Sequence, residues 1–298
     1  MASPEKHELY YVPDQSKWPI VGAIALLVSV FGAGTLMNGL SNGSGAAPGK
    51  YILYAGLLLL AWMFFGWFGN VIRESRRGLY SKQMDRSFRM GMTWFIFSEV
   101  MFFAAFFGAL LYVRVLAGPW LDGVGEKGSS GMLWPEFNFA WPLVNNPDPS
   151  AFPGPTETIS PWQLPLINTL LLITSSVTLT LAHHALRANK RKALKGWLLL
   201  TVVLGVVFLG FQLAEYVHAY RDLGLTLSSG IYGSTFFMLT GFHGFHVTMG
   251  AVILTVMLIR VYKGHFTPGN HFAFEAAAWY WHFVDVVWVA LFIFVYVL

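Results

Sequence analysis

The sequence predicts an all-α integral membrane protein with seven transmembrane helices, and three observations carry that expectation. Of its 298 residues, 55% are hydrophobic and only 11% charged, against about 25% charged in an ordinary soluble domain; mean hydropathy is +0.55. Seven apolar runs are long enough to cross a bilayer, which takes about 20 helical residues. The basic residues alternate between successive connections in a way that six or eight spans would break.

The runs cover approximately 18–38, 51–72, 90–116, 161–186, 195–218, 231–259 and 272–298, within a single membrane domain, 1–298. The third, fourth and sixth are long enough to tilt or to project beyond the hydrocarbon. Fifteen of the nineteen Lys and Arg residues lie in the N-terminal tail and loops 2–3, 4–5 and 6–7; the rest are Lys50, Arg114, Lys127 and Arg221. The positive-inside rule then puts the N-terminus inside and the C-terminus outside. The leading stretch MASPEKHELYYVPDQSKWP is polar and mixed in charge, unlike a signal or transit peptide, so the first span is expected to act as its own insertion signal. The long outer loop 117–160 is rich in Gly and Pro, and holds Trp120, Trp134 and Trp141 with Trp162 just beyond. So many aromatics suit a loop folded down onto the outer membrane face.

Several function classes drop out. The chain has no cysteine, which removes disulfides, iron–sulfur clusters, thiolate copper centres and a cysteine nucleophile. All nine lysines fall in tails or loops, so no span offers a Schiff-base lysine for retinal. No span is arginine-rich like a voltage sensor, and no repeat or pair of broken helices points to a transporter. The net charge of +4 forms no basic stripe with interleaved aromatics, so no nucleic-acid partner is expected.

Ionisable groups inside spans are functional candidates because each is costly unless paired or wetted. Glu99, in FIFSEVMFFAAFFGALL, lies about nine residues into the third span, roughly 14 Å deep at 1.5 Å per residue. A carboxyl there serves proton transfer or, when protonated, a hydrogen bond to a neighbouring helix. GFHGFHVTMG in the sixth span puts His243 and His246 at i, i+3, a spacing that holds a metal if His282, Asp285 and Glu99 complete the set. The alternative is packing: Gly241, Gly244 and Gly250 offer a surface for close helix approach, with the histidines as interhelical donors. Glu275 near His183 and His184, and Glu215 near His218, lie close enough to the interfaces for a solvated or capping role.

Five blocks then carry a specific resemblance: VIRES (71–75), MGMTWFIFSEVMFF (90–103), LPLINTLLLITSSVTLTLAHHAL (164–186), YGSTFFMLTGFHGFHVTMG (232–250) and NHFAFEAAAWYWHFVDVVW (270–288). In order and spacing they resemble the third core subunit of haem–copper cytochrome c oxidase. The resemblance implies helices 1–2 separated by a lipid-filled cleft from a bundle of helices 3–7. It implies no haem, metal or catalytic residue in this chain, with haem and copper held by a catalytic partner subunit and a copper-bearing second subunit. Cytochrome c would be met only indirectly. His243, His246, His282 and Asp285 become buried structural polar residues. Phospholipid is expected at Arg73, Arg89 and Glu99, and at Arg260, Lys263 and His265, since a cation at the hydrocarbon edge pairs with phosphate. The length of loop 117–160 suggests a bacterial protein of the cytoplasmic membrane. The remaining alternatives are the third subunit of a quinol oxidase, which typically lacks the first two helices, a stand-alone membrane metalloenzyme or haem protein, and a transporter.

Overall fold

The structure, a computed structural model, describes residues 11–12, 15–43, 45 and 47–298. Lys6, counted above on the basic side, lies outside them, as does most of the leading polar stretch. Seven long helices follow one another: α1 (Trp18–Ser41), α2 (Ala47–Arg76), α3 (Lys82–Leu121), α4 (Leu164–Arg187), α5 (Arg191–Arg221), α6 (Ile231–Tyr262) and α7 (Phe272–Val297). Each expected span is a helix. Among the described residues the only β pairing is an isolated bridge, Thr267 with Asn270, in the α6–α7 turn.

The helices outrun the apolar runs mostly at their basic ends, because a backbone that already satisfies its own hydrogen bonds need not stop at the hydrocarbon edge. Thus α3 begins at Lys82 and α5 at Arg191. The 40 residues of α3 reach about 60 Å, twice the hydrocarbon thickness of about 30 Å. Proline opens α1 and α4, where its missing N–H costs nothing. Single π turns interrupt α3 at Val113–Ala117 and end α7 at Phe292–Val297.

The chain forms two compact units that divide between Phe88 and Arg89. In the first, α1 and α2 pack backbone to backbone. A Cβ on Gly32 would lie 2.3 Å from the Leu53 amide nitrogen, and one on Gly56 2.5 Å from that of Ser29, so only glycine fits there. The outward faces are apolar and bare, as lipid contact requires: Phe65 is 85% exposed and Leu58 72%. Beyond α2, the Tyr80 hydroxyl donates to Glu74 Oε2 at 2.8 Å. Burial, then the neighbouring carboxylate, pushes the Tyr80 phenol well above its usual range.

The second unit runs from Arg89 through α7, around a core that includes Phe208, Phe236, Trp281 and Trp288. The outer loop packs onto the α5–α6 connection. Trp141 meets the Tyr232 ring edge-on at 5.5 Å. Asn146 donates to the carbonyls of Phe152 (2.8 Å) and Ser229 (3.1 Å), and Thr156 donates its amide and hydroxyl to that of Leu223. At the loop's surface Asp148 accepts from the Ser150 hydroxyl, the Ala151 amide and the Ser150 amide. These bonds hold its carboxyl below the usual range.

Candidate functional site

Four places in the second unit hold ionisable groups that the sequence singles out. In the first, α6 reaches two different neighbours. The fully buried His243 donates Nε2–H to the Val284 carbonyl of α7 at 3.2 Å, with its ring against Trp288 (5.0 Å) and Phe208 (5.8 Å). Three residues on, His246 turns to α3. Its Nδ1 donates to the Phe242 carbonyl at 2.7 Å and its Nε2 lies 2.9 Å from Glu99 Oε2. The two histidines therefore diverge toward different helices.

The His246–Glu99 contact has defined proton chemistry. A carbonyl can only accept, so Phe242 fixes the hydrogen on Nδ1. Nε2 then either donates, as imidazolium, to a carboxylate or accepts from a neutral carboxyl. In both cases one proton is shared between Nε2 and Oε2. Phe102, Phe103, Phe245 and Tyr280 surround the imidazole, and this apolar wall strengthens the bond. Glu99 is thus a partnered interhelical group, with about a fifth of its side chain exposed. Among the described residues, Ser98 and Thr93, its polar neighbours in sequence, bond only to carbonyls of their own helix.

Second, His282 and Asp285 open onto a groove of about 680 Å³ along α4 and α7, lined also by Ser176, Val177 and Val286. Ser176 Oγ lies 2.5 Å from His282 Nδ1, so His282 ties α7 to α4. Asp285 is 6% exposed, and no hydrogen bond of normal geometry reaches its carboxylate oxygens among the described residues.

Third, Glu215 departs from the solvated role expected of it. It is 1% exposed and accepts from the Tyr296 hydroxyl at 2.6 Å, because its side of α5 faces the closing π turn of α7. His218 is the member of that pair left outside, bonded to Asp222 at 2.6 Å. Fourth, Glu275 pairs with Arg89 at 2.8 Å, and the Arg89 guanidinium lies 4.9 Å over the Phe272 ring. Of the other expected lipid ligands, Arg260 is 7% exposed and sits 4.3 Å over Phe266. Arg73 and Lys263 are exposed, Arg73 with a hydrogen bond to Asn70, and His265 is half-buried. Gly250 faces Trp281, whereas a Cβ on Gly244 would meet nothing within 4 Å.

The sequence reading missed a seam. Trp281 Nε1 donates to Ser175 Oγ and Trp288 Nε1 to Thr169 Oγ1, both at 2.9 Å. Both indoles are fully buried. The signal was available: two tryptophans seven apart on α7 share a face, opposite hydroxyls six apart on the antiparallel α4.

The family model for cytochrome c oxidase subunit III matches residues 7–125 and 131–298. The chain is 39% identical over 99% of its length to cytochrome c oxidase subunit 3 of Marchantia polymorpha, covering 98% of that protein, and equally so to that of Arabidopsis thaliana. It is 38% identical to the subunit 3 of Squalus acanthias over 96% of both chains. Those matches run through α1 and α2 as well as through the polar sites of α3–α7, and the chain belongs to the cytochrome c oxidase subunit III family.

Proposed function

We propose that this chain is a non-catalytic core subunit of a proton-pumping cytochrome c oxidase, which passes electrons from cytochrome c to oxygen. The near full-length match to proteins named as that subunit carries the reading. The absence of cysteine, and the commitment of His243, His246 and His282 to interhelical hydrogen bonds, support placing haem and copper in partner subunits. The match from residue 7 onward, through the first two helices, favours the cytochrome c branch over the quinol branch. The charge alternation supports an N-terminus inside. The bacterial cytoplasmic membrane is the setting that the length of loop 117–160 suggests.

Phospholipid binding and help with proton uptake complete the proposal. Arg73 and Lys263, whose side chains are exposed, carry the headgroup reading, with His265 beside Lys263. Arg89 and Arg260 carry it less, being engaged with Glu275 and Phe266. Glu99 is read as a proton-holding partner of His246. Glu99→Gln keeps an oxygen and an N–H for that contact but cannot hold the proton. Oxygen reduction by the Glu99→Gln complex is expected to stay within about threefold of the parent, under about 0.7 kcal/mol of barrier; complete loss would make Glu99 a residue of the main path. The membership test is a gentle detergent pull-down of the tagged chain, with metal analysis and a visible spectrum before and after stripping its partners. Haem and copper should arrive and leave with the partners; redox metal retained on the stripped chain overturns the reading.

A further inference from the structure

At the basic end of α4 and α7, His183, His271 and Glu275 each turn one ligand atom toward a common point, all within 4.8 Å of one another. We propose that these three residues form a binding site for a divalent transition-metal ion of the zinc class. His271 opens α7: its carbonyl accepts from the amides of Phe274 (2.9 Å) and Glu275 (3.1 Å), which fixes the backbone. Glu275 lies one turn on, at i, i+4, and so shares the His271 face. His183 comes from α4, its ring 5.4 Å from that of His271 and 5.8 Å from Phe274.

The ring nitrogens point to a ligand independently of this clustering. His183 Nε2 and His271 Nδ1 are both buried, and neither has a hydrogen-bond partner among the described residues. A buried polar atom without a partner is costly, and a neutral imidazole nitrogen is a metal ligand as it stands. Two imidazoles and one carboxylate, with a fourth position open to water, suit zinc. Ligand atoms on tetrahedral zinc, at bonds of about 2.0–2.1 Å, lie about 3.4 Å apart, so the side chains need draw in by no more than about 1.4 Å. Glu275 Oε1 is held by Arg89, which leaves Oε2 for the metal.

The surrounding charges set the strength. Arg89 pairs with Glu275, and Arg187 and His184 stand close enough to His183 to act on it through their charge; like charge opposes a cation. The site is therefore a weak one that fills when zinc rises and empties when it falls. A bound ion clips the end of α4 to the start of α7 and competes with Arg89 for the charge of the Glu275 carboxylate.

The test uses the assembled oxidase, which rests on the subunit reading for its material; recovery of haem-bearing partners in that preparation scores the subunit reading separately. After chelation, wild-type complex is crystallised, soaked in zinc chloride, and diffraction is collected on both sides of the zinc absorption edge. An anomalous peak between His183, His271 and Glu275 is expected. Elemental analysis after equilibrium dialysis against a fixed zinc concentration should show one fewer zinc in His271→Gln than in the parent, with affinity weakened by about 100-fold, a scale that even outer-shell partners can reach. Arg89→Gln should retain zinc more tightly than the parent. A wild-type complex with no peak there, or His271→Gln with unchanged zinc, overturns the proposal. The diffraction arm needs no variant, so misfolding of His271→Gln leaves the question decidable.

Discussion

Trp288→Ala should destabilise the Arg89–Leu298 unit by about 3–5 kcal/mol, the scale of a large aromatic truncated in a closed core. The indole is completely buried, packs edge-on to Phe208 at 4.8 Å, lies 5.0 Å from His243 and 5.9 Å from Tyr296, and donates to Thr169. Inside a membrane the transfer of apolar surface out of water no longer drives packing, so the loss is mainly one of dispersion contacts and of the indole hydrogen bond. Trp288→Phe separates the two. It keeps most of the ring and loses only the N–H, and Thr169 retains its own bond to the Pro165 carbonyl. That variant should cost about 1–2 kcal/mol. Unfolding of the purified chain in mixed micelles, titrated with a denaturing detergent and followed by circular dichroism, would give both values. Equal losses for Ala and Phe would show that the hydrogen bond, and not the filled space, holds α7 in place.

Gly32→Leu should abolish the pairing of α1 with α2. The clash at that position is with the backbone of Leu53, which cannot rotate out of the way, so the helices must separate by several ångströms. Small-to-large changes cost about 1–3 kcal/mol even where side chains can shift, and here the obstacle is main chain. The cysteine-free sequence makes the measurement direct. A Cβ on Gly22 would sit 3.5 Å from the Met63 methyl, so cysteines introduced at 22 and 63 should be bridged by a short bis-maleimide. The bridge should form in the parent background and fail with Gly32→Leu. A bridge of undiminished yield would mean that the hairpin is held by its connection and not by its interface.

Helix number and order were legible in the sequence, because a 20-residue apolar run has few alternatives in a bilayer. The partners of the polar residues were not. Position along a span gives depth, but rotation about the helix axis decides the neighbour. His243 and His246, three residues apart, end on different helices for that reason, as do Glu215, turned inward to Tyr296, and His218, turned outward to Asp222. Depth did bring Glu275 and His183 together in the sequence, but as solvated groups. The third member, His271, was hidden in a turn that read only as a boundary. The HxxH of α6 is the conspicuous pattern in the sequence, whereas the converging nitrogens are at a helix start, where a loop residue and a residue one turn along meet a neighbouring helix end.

The two indole clasps between α4 and α7 have a mechanical consequence. A rod pinned at one point can still swivel; pinned at two, it can neither slide nor roll. The spacings agree with that arrangement, since seven residues of α7 and six of α4 each span about 9–10.5 Å of helix axis, so both bonds can be made without bending either rod. The stretch between the pins, from Trp281 to Trp288, includes His282 and Asp285. Those two side chains are therefore mounted on a fixed bracket, and the groove they line keeps its shape when the ends of the helices move.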